Sequence, residues 1–326
     1  MRSRIMRVVA ILCIIAWWGM AVGTAKAQTL KEINFGIIST ESQQGLKDTW
    51  MPMLKDMEKQ TGLKINAFFA TDYAGIIEAM RFSKVQIAWF GNKSAMEAVD
   101  RANGEVFAQM IDVNGDPGYW SLLITHKDSE IKSLDDIINN GKKYTFGNGD
   151  PNSTSGFLVP SYYVFALNNI DPAKHFKRMV NSNHETNALA VINKQIDFAT
   201  NNTEALDRLE KTHPEQRRHI RIVWKSPLIP KDPLAWRADL PGDIKEKVRT
   251  FFITYGRNEQ EKKILANLGL AGFRESTNKQ LIPIRQLELF KVKVKIENDA
   301  KMSPEEKRNQ LVKINEDLAK LQTAAN

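Results

Sequence analysis

The chain has 326 residues, with 46 Lys and Arg against 38 Asp and Glu, a net charge of +8 at pH 7, and one cysteine. That length accommodates two ordinary domains, and a single cysteine excludes a disulfide-stapled scaffold. The basic residues are dispersed along the chain, which argues against a nucleic-acid module.

Arg2, Arg4 and Arg7 precede an apolar run from Val8 to Val22, and Ala25-Lys26-Ala27 has the small-x-small form cut by signal peptidase. The run is short for a bilayer span, so residues 1–27 read as an export signal cleaved after Ala27 rather than as a membrane anchor. Cys13 lies inside the signal behind Leu12, where a lipoprotein signal needs a small residue, and the 299 residues that remain hold no thiol. Loss of Arg2, Arg4, Arg7 and Lys26 removes four positive charges and leaves +4, a mild excess that favours solubility. The expected destination is the periplasm.

Beyond the signal, Ile33 to Ile38 has strand length, Ser39 to Ser42 supply caps for a helix to about Lys59, and Thr61-Gly62 end it. Leu63–Ala70, Val85–Phe90 and Val106–Ile111 read as strands, with helices at Tyr73–Arg81 and Asn92–Arg101 between them. This alternation predicts an α/β lobe built on a parallel sheet. The turn Asn114 to Gly118 then leads into Tyr119–His126, where the chain leaves the first lobe. The middle third repeats the pattern, with a Gly/Asn/Ser-rich loop after Tyr144–Gly147, a helix from Ser155 to about Asn168, and further strands at 178–181, 196–200 and 220–225. Pro227, Pro230 and Pro233 suit a crossing back to the first lobe, since each fixes φ and removes a donor. Expected are a first lobe from 28–124 and 234–300, a second from 125–233, hinges near 124 and 233, and a separate C-terminal helix at 301–326. Ser303-Pro304-Glu305-Glu306 has the form of a capping box at its start. Its stripe of Leu311, Ile314, Leu318 and Leu321 could dock on the body or form a homodimer with a second copy.

Three strand-to-helix loops carry the polar chemistry. Gly147 to Gly156 places Ser153, Thr154 and Ser155 at a helix start, where free first-turn amides and hydroxyl donors suit a tetrahedral oxyanion, although a plain Ser/Thr cap has the same pattern. The loop lacks the Gly-Lys-Ser/Thr ending of a nucleotide P-loop, and no cofactor is expected. His184, in Asn183 to Asn187, could donate to an oxyanion or merely cap its helix; Glu204, in Asn201 to Glu204, has no reason to face an anion unless the ligand also carries a cation. At the carboxyl ends of strands in an open α/β sheet, such loops share one edge. Asp232 in the crossing is a second acid, and Tyr73 and Tyr119 offer an apolar wall with a donor tip.

The segments INFGIISTESQQ, FFATDYAGIIEAMRFSKVQIAWFGN, GNGDPNSTSGF, NHETNALAV, ATNNTE, WKSPLIPKDPLAWR and PIRQLELF closely resemble the phosphonate-binding periplasmic proteins of the PhnD type. The resemblance implies a two-lobed type II periplasmic-binding-protein fold, with an organophosphonate held between the lobes and delivered to the membrane permease of an ABC transporter. It implies that Tyr73, Ser153, Thr154, Ser155 and His184 hold the phosphonate, that Tyr119 lines the cleft, and that Glu204 and Asp232 pair with the ammonium of 2-aminoethylphosphonate. A binding protein for phosphate, phosphite or another oxyanion is the alternative, though it leaves Glu204 and Asp232 without a role. A phosphonate or phosphate-ester hydrolase fits less well. His126, His175, His184, His213 and His219 are the only histidines, none in a His-x-x-x-His pair, so no metal site is expected and no Ser nucleophile has an evident base and orienter.

Overall fold

The computed structural model describes residues 30–325, so the expected export signal and its cleavage after Ala27 lie outside the described residues. Strand β1 (Glu32–Ile37) buries Ile33, Phe35 and Ile37 by simple alternation. Helix α1 (Gln43–Thr61) starts where the Ser42 side chain accepts from the Gly45 N–H and stops at Gly62, whose φ of 70° is the left-handed conformation that glycine adopts without a Cβ clash. β2 (Lys64–Phe69), α2 (Tyr73–Arg81), β3 (Ile87–Trp89), α3 (Asn92–Arg101) and β4 (Gly104–Asp112) complete the first run of alternating elements.

Short β5 (Gly118–Tyr119) then leads to β6 (Ser121–His126), followed by α4 (Leu134–Asn139) and β7 (Thr145–Asn148). Two π-helical turns, Thr154–Leu158 and Ser161–Phe165, occupy the place of the regular helix expected from Ser155 to Asn168. Next come α5 (Pro172–His175), β8 (Arg178–Asn181), α6 (His184–Ile192), β9 (Phe198–Asn202), α7 (Thr203–Thr212), α8 (Pro214–Arg217) and β10 (Ile220–Lys225). The chain returns through β11 (Ile229–Pro230) to β12 (Pro233–Arg237), α9 (Gly242–Thr254), α10 (Glu259–Asn267) and β13 (Leu270–Glu275). It ends with α11 (Ile282–Glu297) and α12 (Pro304–Ala325).

Two sheets result, in the orders β13-β4-β12-β3-β1-β2 and β10-β6-β9-β7-β8, joined by the two-stranded ribbon β5–β11. Each sheet is mixed rather than parallel throughout. β1, β2 and β3 run parallel, as do β7, β8 and β9, because helices connect them across a face. β12 and β13 enter the first sheet antiparallel, and β6 and β10 pair antiparallel in the second; β12 and β6 arrive directly from the crossings and need no crossover helix. The first crossing also falls earlier than expected. Ser121 already pairs with Asn202 in the second sheet, so residue 124 lies inside β6 and the hinge segment is 113–120. The apolar run had hidden that boundary, because a buried strand reads alike in either lobe.

Aromatic packing fills both lobes. In the first, Trp50 stacks on Trp89 at 5.1 Å and packs on Phe35 at 5.5 Å; in the second, Phe146 stacks on Phe198 at 4.7 Å among Phe165 and Phe176. α12 begins with the expected capping box, the Ser303 amide donating to Glu306 Oε2 at 3.0 Å and the Glu306 amide to Ser303 Oγ at 3.3 Å. Its stripe does not face outward toward a second copy. Ile314 and Leu318 are buried against Ile296 and Leu289 of α11, with Leu311 partly covered, so of the two alternatives the stripe takes docking on its own chain and not the homodimer. α11 in turn touches α3 of the first lobe and the second π-helical turn of the other, where Phe290 lies 6.2 Å from Tyr162. Among the described residues no helix is long and apolar enough to cross a membrane.

Replacing Ile314 or Leu318 with Ala should lower the urea-unfolding free energy by about 2 kcal/mol each. Sedimentation should show the same molecular mass for wild type and variants, because both side chains pack against α11 of their own chain.

Candidate functional site between the two lobes

A cavity of about 450 Å³ lies between the lobes and is lined by all eight residues singled out from the sequence: Tyr73, Tyr119, Ser153, Thr154, Ser155, His184, Glu204 and Asp232. They come from both lobes and from the crossing, and the fold alone brings them together.

The loop after β7 doubles back so tightly that the Gly149 N–H donates to the Gly156 carbonyl at 3.0 Å. A Cβ on Gly149 would meet the Gly156 backbone at 2.5 Å, so only glycine fits there. This turn delivers Ser153, Thr154 and Ser155 to the cavity, each about 2% exposed, at the head of the first π-helical turn. Each hydroxyl oxygen already accepts one bond. Ser153 Oγ accepts from the Gly156 amide at 3.0 Å, Thr154 Oγ1 from the Lys93 amide at 2.8 Å, and Ser155 Oγ from Asn202 Nδ2 at 3.0 Å. With an acceptor lone pair satisfied by a fixed donor, each O–H is left to donate.

His184 opens α6, but Asn183, not His184, caps that helix by accepting from the Thr186 amide. The imidazole is therefore free for the cavity, its Nε2 3.5 Å from Ser153 Oγ and 3.2 Å from Asn202 Nδ2, while its buried Nδ1 has no partner among the described residues. Burial, assisted by the Arg208 charge, pulls the His184 pKa down to about 4, so the ring is neutral at pH 7. Burial holds the Tyr73 phenol well above its ordinary range, reinforced by Asp150 and Asp232, so Tyr73 stays protonated. The half of the cavity that gathers these groups is a set of neutral donors. Arg208, which also lines the cavity, is engaged by Glu41 at 2.9 Å.

The two acids on the other wall are not equivalent. Asp232 is buried and accepts only from neutral donors, Trp89 Nε1 at 3.1 Å and Tyr119 Oη at 3.0 Å. Burial raises its pKa well above the usual carboxylate range, with the nearby Glu204 charge adding to the effect. Glu204 instead has a resident cation: Lys231 Nζ lies 2.5 Å from Glu204 Oε1 and 2.6 Å from Asp112 Oδ2. The expectation that a ligand lacking a cation would leave both acids unpaired is thus corrected for Glu204.

Several helix starts are completed across the cleft. Thr154 supplies the side-chain acceptor at the start of α3, whose own N-cap Gly91 has no side chain to give, and Asp150 Oδ2 accepts from the Tyr73 amide of α2 at 3.1 Å. Glu185 Oε2 likewise accepts from the Ser42 amide at 2.5 Å, and in the opposite direction the Thr40 carbonyl accepts from the His184 amide of α6 at 3.1 Å. The lobes are therefore closed on each other.

Residues 35–281 match the family model described as the phosphonate periplasmic substrate-binding protein of ABC transporters. The chain belongs to this family. It is 63% identical over 261 residues to the phosphonates-binding periplasmic protein of Escherichia coli, covering 80% of this chain and 77% of that one. It is also 32% identical over 233 residues to the phosphate-import protein PhnD of Mycolicibacterium smegmatis, with 68% and 70% of the two chains covered. A crystal structure of a binding-protein component of an ABC phosphonate transporter from Pseudomonas aeruginosa superposes with a TM-score of 0.89 at 60% identity, covering 90% of this chain and 98% of that one. The family's architecture agrees with the two lobes and the cavity between them.

Sequence reasoning overlooked Lys93, Asn202, Trp89 and Lys231. Lys93 acts through its backbone amide, which no side-chain pattern reveals; Asn202 stands beside Glu204 in the same loop and was legible as a polar cluster. Thr40, whose buried hydroxyl lacks a partner among the described residues, also lines the cavity.

Because the folded protein holds His184 neutral, the unfolded chain binds the extra proton as pH falls below about 6.5. Stability should therefore be fully present above that pH and decline as it falls toward 4, by about 3 kcal/mol from this residue. Urea denaturation of wild type and His184→Gln across pH 4 to 7 checks this, the variant showing the shallower acid limb.

Proposed function

We propose that this protein is the periplasmic solute receptor of an ABC importer for organophosphonates, with 2-aminoethylphosphonate as the ligand for which its cavity is best suited. The observation that carries the reading is the sorting of the cavity into two ends. Ser153, Thr154 and Ser155 present oriented O–H groups, with Tyr73 and His184 beside them, while Asp232 on the other wall has no ion-pair partner among the described residues. A dianionic phosphonate takes up the first set, and an ammonium two carbons away supplies the charge that buried Asp232 lacks, with Glu204 beside it.

Asp232 carries the energetic difference between ligands. An ionised carboxylate in that position is costly without a counter-charge, and an amine-free ligand leaves the carboxyl holding a proton instead. An arriving ammonium displaces that proton and makes a charge-assisted contact in a site closed to water. Tyr119 and Trp89 keep the carboxylate aimed, since both donors remain in place in either state. Closure then presents one joined surface to the membrane permease, in the manner of hinged receptors. Membership of a periplasmic substrate-binding family and the export signal read from the sequence both support a periplasmic location.

Phosphate as the ligand is the second reading, favoured by the name of the relative from Mycolicibacterium smegmatis. The two readings share the hydroxyl site and differ at Asp232. Tryptophan fluorescence should separate them, because the indole of Trp89 bonds Asp232 directly. Titration should show 2-aminoethylphosphonate binding more tightly than ethylphosphonate, and ethylphosphonate more tightly than inorganic phosphate. An equal or stronger response to phosphate would overturn the ligand assignment in favour of the second reading.

Asp232→Asn should weaken 2-aminoethylphosphonate by about 2–5 kcal/mol and leave ethylphosphonate within a few-fold of wild type, measured by calorimetric titration. Equal losses for both ligands would show that Asp232 acts on closure and not on the amine.

A further inference from the structure

A buried lysine stands behind the amine end of the cavity. Lys231 sits on the return crossing, immediately before Asp232, with its side chain only 4% exposed. Its carbonyl accepts from Gln109 Nε2 at 3.0 Å and Gln280 Nε2 at 3.2 Å, which holds the backbone in place. Its Nζ bridges Asp112, the last residue of β4 in the first lobe, and Glu204, in the first turn of α7 in the second. Glu204 faces the cavity, whereas neither Lys231 nor Asp112 lines it. Lys231 thus contacts two carboxylates, Asp112 and Glu204, and precedes a third, Asp232, in the chain.

We infer that Lys231 is a specificity-determining residue, a built-in counter-cation that lets the cavity accept phosphonates without an amine and so sets how strongly aminated ligands are preferred. The inference rests on the proposal that the ligand is a phosphonate with its amine at Asp232 and Glu204. Glu204 makes its contact with Lys231 through Oε1, so a ligand without an ammonium does not leave it unpaired. Remove the lysine charge and Glu204 loses that partner, a state that an ammonium relieves and an ethyl group does not. Loss of a positive charge near the cavity also disfavours the phosphonate dianion, while a ligand ammonium no longer faces a like charge, so the amine-free ligand loses more. The charge on Asp112 works in the opposite direction, because Lys231 is shared between the two acids. With Asp112 neutralised, the lysine compensates Glu204 more fully and the ligand ammonium gains less.

The test is calorimetric titration of wild type, Lys231→Met, Lys231→Arg and Asp112→Asn with 2-aminoethylphosphonate and ethylphosphonate, the readout being the ratio of the two affinities. Lys231→Met should raise that ratio on the order of tenfold, Lys231→Arg should keep it near wild type, and Asp112→Asn should lower it. A merely structural role for Lys231 would weaken both ligands alike and leave the ratio unmoved. An unchanged or reduced ratio in Lys231→Met overturns the inference, as does an unchanged or raised ratio in Asp112→Asn. Should Lys231→Met fail to fold, Asp112→Asn decides by itself. Wild-type protein that binds neither phosphonate, or binds both equally, sinks the proposed ligand instead, and this inference falls with it; a wild-type preference that the variants leave untouched sinks only the role of Lys231.

Discussion

First-turn amides of a helix have no partner within the helix, and this protein satisfies key ones from across its cleft. α2 and α3 of the first lobe receive Asp150 and Thr154 from the second, and α6 of the second receives the Thr40 carbonyl from the first. Each such bond contributes about 1 kcal/mol net, but each also leaves an orphan donor to water when the lobes part. Closure and helix capping are therefore the same contacts. Thr154 carries this furthest, because the bond that ties its oxygen to Lys93 is also what directs its O–H toward the cavity.

That coupling bears on the proposed anion site, which offers hydroxyls in place of a dedicated lysine or arginine. Neutral donors bind a buried dianion well only if they are fixed before it arrives, since a rotating hydroxyl in a dry cavity would have to be ordered by the ligand itself. Here the ordering comes from one backbone amide of the same loop, one from the facing lobe and the amide of Asn202. A neutral His184 fits the same scheme. On the other wall Asp232 accepts from Trp89 and Tyr119, and Lys231 bridges Asp112 and Glu204.

The scaffold serves this arrangement through its two crossings. Each lobe keeps three parallel strands whose carboxyl-end loops supply polar residues to the cavity, while strands arriving from the crossings close the sheets antiparallel. The core supports the site where Trp50 stacks on Trp89 and so holds the indole that donates to Asp232. Behind the cleft, α11 and α12 form a hairpin that contacts both lobes.

The amino-acid sequence by itself determined the α/β class, the two-lobed plan and the eight residues that line the cavity. These depend on local signals: hydrophobic period, loop chemistry at strand ends, and motifs long enough to resemble a family. The hinge at 113–120, the mixed pairing of the sheets and the inward use of the Ile314 and Leu318 stripe were decided by tertiary structure, because strand direction and helix partners depend on segments far apart in the chain. So were the polar contacts around the cavity. Lys93 contributes a backbone amide that looks alike in every residue, and Lys231 meets Asp112 from 119 positions away and Glu204 from 27. A single sequence shows which charges a chain carries; which of them are already paired is settled only when folding brings them within reach of one another.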